Sequence, residues 1–421
     1  MEGNLVFGRP LYVMAKPAGA ACNLRCKYCY YLEKSSLTPH PRPMSDEVLE
    51  SFVRQYIAAQ TTPEVNFTWH GGEPLLRPIS FYEKALHYQR LYAGGRQIVN
   101  CIQTNGTLLD DRWGEFLKRN NFLVGISLDG PASVHDALRQ TKEGAGSYAD
   151  VMRGLRILAK YRIEWNAMAV VNSINVKDPV GFYRFFRDEL DCQFLQFTPI
   201  VERTTTSADG TTRLCSGRDT ESTLTPDSVT AQEWGDFLCS IFDEWLKEDV
   251  GRVFIQLFDS TLANWVGAEP GICTMSKYCG HAAVLEANGD LYSCDHFVFE
   301  EFKLGNILSR RLSDMMYSKQ QDMFGAMKHH SLPRKCRECE FEFACHGECP
   351  KNRFVPSGEQ SRPLNYLCQG YKRFFSHAKP YMDFMKQELL AQRAPANVMR
   401  WAREQCEAKN ESQRVPNGQN R

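Results

Sequence analysis

Six short apolar runs occupy the first half of the chain, and a stretch with helical spacing of apolar residues follows each of them. The apolar runs are 11–15, 65–69, 98–103, 123–128, 166–171 and 193–198. The predicted helices begin at Ser45 and then cover 81–92, 112–120, 147–161, 179–190 and 232–247. Successive strand–helix units predict an α/β fold with a parallel sheet and right-handed crossovers. We therefore expect a partial (β/α)6 barrel over 8–252, similar to part of a TIM barrel.

The first predicted helix carries both a start signal and an apolar face. Ser45 is a suitable N-cap, and Asp46 and Glu47 place negative charge in the first turn. The apolar residues at helical spacing are Val48, Leu49, Phe52, Val53, Tyr56 and Ile57. We expect these side chains to be buried against the sheet.

Polar or glycine-rich residues follow several of the predicted strands. They are Gly71-Gly72-Glu73-Pro74, Thr104-Asn105-Gly106 and Asp129-Gly130-Pro131. In folds of this class the ligand lies at the carboxyl ends of the strands, where these residues meet. The stretch CNLRCKYCYYLEK, which begins at Cys22, follows the first strand and belongs to the same rim.

The pattern changes after about residue 252, where cysteines become dense and the predicted elements become short. A thiolate cluster can supply folding energy that a small core cannot, so we predict a metal-stapled second domain over 253–370. A helical, charged tail is predicted over 371–421, with a disordered end at SQRVPNGQNR. The polar stretch 204–225 is predicted to be a mobile surface loop.

Charge and composition narrow the classes of function. The chain has 421 residues, and 50 Lys and Arg balance 50 Asp and Glu, so no basic field favours nucleic acid or an anionic membrane. No apolar run approaches the roughly 20 residues that span a bilayer, and the N-terminal residues do not resemble a signal peptide. We predict a cytoplasmic protein. In that compartment thiols stay reduced, so the 16 cysteines indicate metal binding or redox chemistry.

Three of the cysteines, Cys22, Cys26 and Cys29, lie within eight residues. Three thiolates alone cannot complete a closed zinc site, whereas a [4Fe–4S] cluster held by three keeps one iron open. This spacing, with an aromatic residue before the last cysteine and a later GGEP, resembles the signature of radical S-adenosylmethionine (SAM) enzymes. The resemblance implies a radical SAM core, whose open iron binds the amino and carboxyl groups of SAM. It also implies that SAM cleavage yields a 5′-deoxyadenosyl radical that abstracts hydrogen from the substrate.

The same resemblance assigns SAM contacts in this chain. The implied residues are Tyr28, Gly72, Ser127, Arg139 and Val201, with Ile200 as an alternative to the last. Gly72 would let backbone approach the cofactor closely, and Arg139 could pair with the SAM carboxylate in a bidentate way. The alternatives are a turn role for Ser127 and a surface helix charge at Arg139.

A second group of eight cysteines resembles the SPASM extension of radical SAM enzymes that modify peptides. The resemblance implies two auxiliary [4Fe–4S] clusters with four cysteine ligands each. The first ligand set is Cys273, Cys279, Cys294 and Cys349, and the second set is Cys336, Cys339, Cys345 and Cys368. Structural zinc sites are the alternative, since CxxC pairs also suit zinc. Full ligation leaves no open iron, so electron transfer or a structural role remains.

Six stretches narrow the resemblance to one family. CNLRCKYCYYLEK, WHGGEPLL, QTNGTLL, SLDGP, ANGDLYSCDHFV and LNYLCQGYKRFF together resemble the anaerobic sulfatase-maturating enzymes. These enzymes oxidise a cysteine or serine of an unfolded sulfatase, within a C/S-x-P/A-x-R segment, to Cα-formylglycine. The resemblance makes Asp295 the base that accepts the thiol or hydroxyl proton. The alternative is that Asp295 is only a local hydrogen-bonding residue near the cluster. His70, where relatives often carry glutamine, and Tyr31 are implied peptide contacts.

The expected protein is thus a radical SAM oxidoreductase with three [4Fe–4S] clusters. Its expected partners are a sulfatase polypeptide and a low-potential electron donor such as flavodoxin or ferredoxin, without nucleic acid or membrane. The nearest alternative is a radical SAM/SPASM peptide maturase that forms thioether or other cross-links. A non-catalytic iron–sulfur electron carrier is the alternative from another class, although a carrier has no use for an open iron. A zinc-ribbon interaction module would leave the six-unit α/β half without a role.

Overall fold

The computed structural model describes residues 11–31, 42–206, 210, 212–215, 222–360 and 362–414. The strands are β1 (Tyr12–Ala15), β2 (Glu64–Trp69), β3 (Gln97–Thr104), β4 (Leu123–Ser127), β5 (Trp165–Val171), β6 (Phe194–Pro199), β7 (Arg203–Thr206), β8 (Thr212–Leu214), β9 (Thr223–Leu224), β10 (Phe254–Ile255), β11 (Ala282–Leu285), β12 (Asp290–Tyr292), β13 (Lys303–Asn306), β14 (Arg353–Val355) and β15 (Leu364–Asn365).

The helices alternate with the strands in the first half of the chain and dominate its end. They are α1 (Asp46–Ala59), α2 (Ile79–Tyr92), α3 (Asp111–Arg119), α4 (Ala132–Leu138), α5 (Tyr148–Lys160), α6 (Pro179–Arg184), α7 (Ala231–Glu248), α8 (Gln256–Val266), α9 (Leu312–Met316), α10 (Lys319–His330), α11 (Arg334–Arg337), α12 (Glu342–Cys345), α13 (Cys368–Leu390) and α14 (Val398–Arg414).

The first six strands lie side by side in chain order and are parallel, as the strand–helix alternation predicts. Each predicted strand and helix of this half agrees with an observed element to within two residues, with a π-helical turn completing the fifth helix. The α/β partial barrel is therefore confirmed. Because the strands are parallel, the segments that follow them gather at one edge.

Helix α1 shows why the pattern of apolar residues predicts the first half of the chain well. The Ser45 hydroxyl accepts a hydrogen bond of 3.2 Å from the Val48 amide, so the predicted cap is confirmed. All six predicted apolar residues of the helix are buried. Phe52 packs edge-on against Phe67 and Trp69 of β2, which joins the helix to the sheet.

The cysteine-rich half continues the same sheet. Strand β11 pairs in parallel with β1 over Tyr12–Ala15 and Ala282–Leu285, and β12 and β13 extend that edge in antiparallel fashion. At the opposite edge β10 pairs with β6. The residues after β1 therefore lie beside the residues after β11 and β12. The domain limits 8–252, 253–370 and 371–421 stay predictions.

Three regions differ from the sequence-based predictions. Helix α4 was not predicted, because seven residues after Pro131 give too short a pattern. The loop prediction for 204–225 is wrong for β7, β8 and β9, which form a small antiparallel sheet, while 207–209, 211 and 216–221 lie outside the described residues. Helix α13 starts at Cys368, three residues before the helix predicted from about residue 371.

Helix α14 also corrects the predicted disordered end, because 412–414 are helical, whereas 415–421 lie outside the described residues. Helices α13 and α14 pack against α7 of the barrel, and Phe374 of α13 is fully buried. The tail is thus part of the packed structure. Over the described residues, no helix combines the length and the apolar character needed to cross a membrane.

Candidate active site

The three-cysteine segment follows β1 and is held by the backbone of the GGEP stretch. The Gly72 amide donates to the Gly19 carbonyl at 2.9 Å, and the Glu73 amide donates to the Ala21 carbonyl at 2.8 Å. A Cβ atom on Gly72 would lie 2.1 Å from the Ala21 carbonyl oxygen. Glycine is therefore required here for the close approach of the cysteine segment. A contact between Gly72 and SAM stays a prediction.

Glu73 joins the GGEP stretch to the residues after β3. Its buried carboxylate accepts from the Thr104 hydroxyl at 2.7 Å and from the Asn105 amide at 2.8 Å. Burial raises the pKa of Glu73 to about 7. The Asn105 side chain in turn lies 3.8 Å from the Cys22 sulfur and donates to Asn23 at 2.9 Å. Two of the rim stretches predicted from the sequence thus meet at Cys22.

Tyr28 and Arg139 both bind the buried carboxylate of Asp129 on one side of the cysteine segment. The Tyr28 hydroxyl donates to Asp129 Oδ2 at 2.6 Å, and Arg139 Nε donates to the same oxygen at 2.9 Å. The other oxygen of Asp129 accepts from the Val170 amide at 2.9 Å. Arg139 is 7% exposed, so the alternative of a surface helix charge is wrong. The tyrosine before the third cysteine therefore fixes the segment to β4 and β5.

Ser127 and Val201 also lie at the carboxyl edge of the sheet. Ser127 ends β4, and its hydroxyl accepts from the Gln103 side chain at 3.0 Å. Val201 and Ile200 are buried just beyond β6. These positions agree with the region expected for SAM, and the contacts themselves stay predictions.

Asp295 lies on the other side of the cysteine segment, in a 3₁₀ turn that follows β12 and Cys294. Its carboxylate forms an ion pair with Lys16, which is 1% exposed, and accepts a hydrogen bond from the Tyr30 hydroxyl. The Lys16 amide donates to the Leu285 carbonyl at 2.9 Å, so the pairing of β1 with β11 brings these residues together. Sequence reasoning missed Lys16 and Tyr30. A lysine directly after a buried strand was the available signal at Lys16.

The two predicted peptide contacts, Tyr31 and His70, flank Lys16. The Lys16 ammonium lies 3.4 Å from the centre of the Tyr31 ring, and the Tyr31 hydroxyl donates to Glu286. His70 Nδ1 accepts from the Gly71 amide at 2.6 Å. Burial and the charge of Lys16 lower the pKa of His70 to about 4. The imidazole is therefore neutral near pH 7, with its proton on Nε2 available to a ligand.

The eight later cysteines fall into two groups in space. The charge of Cys349 interacts with Cys279, Cys294 and Cys273. In the other group Cys336 interacts with Cys368 and Cys339, and Cys345 interacts with Cys368 and Cys336. Each group matches one of the four-cysteine sets implied by the SPASM resemblance. Assignment of each set to a cluster stays a prediction.

The donor chemistry of these groups fits iron–sulfur clusters. The three cysteines of the first segment and the eight later cysteines all have free thiols. A buried ammonium, Lys328, donates to the Cys273 and Thr274 carbonyls at 2.6 and 2.8 Å, where it can offset the negative charge of thiolates. Across the described residues, no three His, Cys, Asp or Glu side chains are grouped as one bare metal ion would require. In a cubane each thiolate binds a different iron atom, so its ligands do not converge on one point.

Comparison with known proteins identifies the family. The model described as the radical SAM superfamily matches residues 17–186, and that of the SPASM iron–sulfur cluster-binding domain matches 273–340. The chain is 58% identical over 396 residues to a serine-type anaerobic sulfatase-maturating enzyme of Bacteroides thetaiotaomicron. The aligned region covers 94% of this chain and 95% of the relative. The chain belongs to the anaerobic sulfatase-maturating enzymes.

More distant relatives of this family share the fold. A cysteine-type anaerobic sulfatase-maturating enzyme of Clostridium perfringens is 33% identical over 88% of this chain and 97% of its own length. The solved structure of native anSMEcpe with bound AdoMet and the Cp18Cys peptide has a TM-score of 0.79 and 30% identity, over 90% of this chain and 100% of that one. As a family member, the chain is a radical SAM oxidoreductase that uses SAM and [4Fe–4S] clusters.

Proposed function

We propose that this enzyme oxidises a serine or cysteine of an unfolded sulfatase to Cα-formylglycine, with serine as the expected target. The strong similarity to a serine-type enzyme supports the choice of serine. The observation that carries the proposal is the position of Asp295. Its carboxylate is held by Lys16 and Tyr30, beside Cys294 and on the rim that carries Cys29.

Eleven cysteines hold the three clusters in this proposal. Cys22, Cys26 and Cys29 hold the SAM-binding cluster, and the two later sets hold the auxiliary clusters. When bound there, SAM and the reduced cluster would supply the radical chemistry that removes a hydrogen atom from Cβ of the target. Tyr28, Gly72, Ser127, Arg139 and Val201 line the SAM site. Buried Arg139 and the polar Ser127 suit a zwitterionic ligand.

Asp295 acts as the base in the second half of the oxidation. Cβ has lost a hydrogen atom, and formation of the C=O or C=S bond then releases one electron, which an auxiliary [4Fe–4S] cluster would accept, and the hydroxyl or thiol proton. The Asp295 carboxylate accepts that proton, while Lys16 and Tyr30 hold it in a fixed orientation. A cysteine target gives a thioaldehyde, which water converts to the aldehyde with loss of hydrogen sulfide.

Tyr31 and His70 contact the substrate peptide in this proposal. The neutral His70 ring can donate one hydrogen bond from Nε2 to a peptide carbonyl. The peptide carries a C/S-x-P/A-x-R segment, and a low-potential carrier such as flavodoxin or ferredoxin supplies electrons. We place the enzyme in the cytoplasm, where thiols remain reduced and available to iron.

The test uses anaerobically reconstituted, reduced enzyme with SAM and synthetic peptides that contain S-x-P-x-R or C-x-P-x-R. The serine peptide should lose two hydrogen atoms by mass spectrometry, with stoichiometric 5′-deoxyadenosine. The cysteine peptide should exchange sulfur for oxygen after losing the same two atoms. A cysteine peptide that keeps its sulfur after loss of two hydrogens would point to thioether formation instead.

Asp295→Asn tests the role of the base. It should cleave SAM but lose formylglycine, because no carboxylate accepts the proton. Asp46→Asn is the matched control, since Asp46 also pairs with a lysine, Lys84, on the exposed surface. Formylglycine at the wild-type rate in Asp295→Asn would contradict the proposed base.

A further inference from the structure

Buried cations are rare in this chain, and one of them has no carboxylate partner. Of the lysine and arginine side chains that the structure describes, three are buried, and they are Lys16, Arg139 and Lys328. Lys16 pairs with Asp295, and Arg139 pairs with Asp129. Lys328 is 0% exposed, and no carboxylate of the described residues lies within ion-pair distance of its ammonium. Taking an ammonium out of water is unfavourable unless negative charge compensates it.

The contacts of Lys328 place its charge beside the first set of later cysteines, which comprises Cys273, Cys279, Cys294 and Cys349. Its ammonium donates to the Cys273 carbonyl at 2.6 Å and to the Thr274 carbonyl at 2.8 Å. These two hydrogen bonds fix the position of the charge by geometry. The negative group that compensates it is therefore to be sought in the first set itself.

Helix α10, which carries Lys328, also holds the backbone next to two other cysteines of the first set. The Gln321 side chain lies one heptad earlier on the same face of the helix, and it is 0% exposed. It donates to the Gly280 carbonyl at 2.8 Å and to the Ser293 carbonyl at 3.2 Å, and each of these residues is next to a cysteine of the set. The Cys279 amide donates to the Gly325 carbonyl of α10 at 3.2 Å. The inner face of α10 thus borders three of the four cysteines.

Two other charges of this region, Glu348 and Arg353, lie next to each other and offset each other. The Glu348 carboxylate is buried and accepts hydrogen bonds from two asparagine side chains. Arg353 donates to the Glu348 backbone carbonyl at 3.1 Å, and the charges of the two side chains interact. Glu348 stands between Cys345 of the second set and Cys349 of the first set, so its charge bears on both. The ammonium of Lys328 contacts the first set alone and makes the two sets electrically different.

A positive charge in this position favours reduction of a bound cluster. A [4Fe–4S] cluster with four thiolate ligands carries net negative charge, and reduction adds one more electron. The reduction potentials of such clusters depend on nearby charge, hydrogen bonds and solvent exposure. An ammonium without access to solvent acts strongly, because little water screens it. It stabilises the reduced cluster more than the oxidised cluster.

We propose that Lys328 raises the reduction potential of the auxiliary cluster held by the first set, so that this cluster accepts the electron released as formylglycine forms. This inference rests on the proposed function, in which Asp295, next to Cys294 of the same set, accepts the proton. The electron leaves the substrate carbon as the C=O or C=S bond forms and reduces this cluster by one electron. Lys328 acts through its charge and does not take part in bond formation.

The experiment measures reduction potentials in the anaerobic holoenzyme by electron paramagnetic resonance during a redox titration. Added SAM changes the signal of the SAM-binding cluster, so the remaining signals belong to the auxiliary clusters. Lys328→Gln removes the charge and keeps an amide that can donate to a carbonyl. One auxiliary cluster should become roughly tenfold harder to reduce, a shift of about 59 mV to more negative potential for one electron. The other two clusters should change less.

Two control variants separate charge from local disturbance. Lys277→Gln removes a charge at an exposed position between Cys273 and Cys279, and its potentials should stay close to those of the wild type because solvent screens that charge. Lys328→Arg keeps the charge and should also keep the potential. The proposal would be overturned by an unchanged potential in Lys328→Gln, or by an equal shift in either control.

Iron and sulfide content show whether each variant assembles its clusters. Lys328→Met is a second neutral variant, and its apolar side chain leaves no buried donor without a partner. It should shift the potential in the same direction as Lys328→Gln. Loss of iron from both neutral variants would overturn the proposal, because Lys328 would then be needed to assemble the cluster and not to set its potential.

Turnover distinguishes this proposal from the proposed function. With SAM and the serine peptide, Lys328→Gln should cleave SAM at the wild-type rate but yield more 5′-deoxyadenosine per formylglycine. A wild-type ratio despite a lowered potential would overturn the assignment of this cluster as the electron acceptor. Absence of formylglycine from the wild type would contradict the proposed function, and the potentials, which need no substrate, would still decide the effect of Lys328.

Discussion

Two ion pairs flank the cysteine segment. Each joins an aspartate to a cation, but the two pairs differ in burial. Tyr28 and Tyr30 stand on either side of Cys29, and each donates its hydroxyl to an aspartate that also pairs with a cation. Asp129, with Arg139, has a fully buried side chain. The Asp295 side chain, with Lys16, is 17% exposed. The first pair is closed to solvent, whereas the second leaves part of a carboxylate accessible to solvent.

The cations of the two pairs, Arg139 and Lys16, agree with this difference in burial. A guanidinium keeps its charge in a protein and has donors in a fixed fork, so it suits a permanent buried pair. A lysine ammonium is a compact charge on a flexible stem, and it tolerates the loss of a partner better because it can release its proton. Removing either aspartate should therefore have unequal consequences.

Asp129→Asn should give the largest effect on stability. It leaves the buried guanidinium of Arg139 without its counter-charge, so the free energy of unfolding should fall by about 3–5 kcal/mol. Anaerobic chemical denaturation of the holoenzyme measures this change. Asp46→Asn, which breaks an exposed pair, should cost about 0–1 kcal/mol. If Asp129→Asn and Asp46→Asn lower the free energy of unfolding equally, the distinction between a buried and an exposed ion pair is wrong.

Lys16→Met should give the next largest effect, and it should lower both the stability of the protein and the rate of formylglycine formation. The free energy of unfolding should fall by about 2–3 kcal/mol, less than in Asp129→Asn, because Asp295 reaches solvent. The variant should still cleave SAM, but formylglycine should form more slowly because the carboxylate loses its fixed orientation. Denaturation and product analysis on one preparation measure both quantities. Unchanged formylglycine formation would reduce Lys16 to a purely structural residue.

Tyr28→Phe and Tyr30→Phe form a matched pair with a smaller effect. Each variant loses one hydrogen bond to a carboxylate, so each should lower the free energy of unfolding by about 1.5–2 kcal/mol. Only Tyr30→Phe should raise the ratio of 5′-deoxyadenosine to formylglycine, because only Tyr30 holds the proposed base. If both variants raise that ratio equally, the two sides of the segment do not differ in function.

His135→Gln should change how the stability of the protein depends on pH in the acid range. Burial is the main cause that lowers the pKa of His135 to about 4, and its Nδ1 accepts from the Asp129 amide at 3.3 Å. The unfolded chain binds a proton near pH 6.5 and the folded chain does not, so stability is present above about pH 6.5 and is lost towards about pH 4. The variant should lack this part of the pH dependence. His87→Gln, at an exposed position, should retain it.

The agreement between sequence and structure is best where the information is local. The six strand–helix units, the Ser45 cap and the apolar face of α1 depend on neighbours within a few turns, and all are confirmed. Helix α4 escaped prediction because its seven residues are too few for a periodic pattern. The short strands β7 to β9 escaped because their polar composition resembles that of a loop.

The candidate site shows the same contrast between features that the local sequence predicts and features that depend on distant parts of the chain. Resemblance to the SPASM extension pointed to the predicted ligand sets, and the sequence stretches that resemble the family pointed to Asp295. Burial at Arg139 was not foreseen, since a charge at the end of a short helix pattern is usually exposed. The ion pair between Lys16 and Asp295 was not foreseen either. The hydrogen bond from Tyr30 to Asp295 spans 265 residues of chain, and no local pattern encodes it.

The sequence by itself determined the parallel α/β half, the rim that carries the three cysteines and the family of the enzyme. Only the tertiary structure decided that β11 pairs with β1, which sets Lys16 beside Asp295 and joins the cysteine-rich half to the barrel sheet. The physical reason is that pairing between distant strands depends on burial of the whole sheet, and their register is not written in the periodicity of either strand.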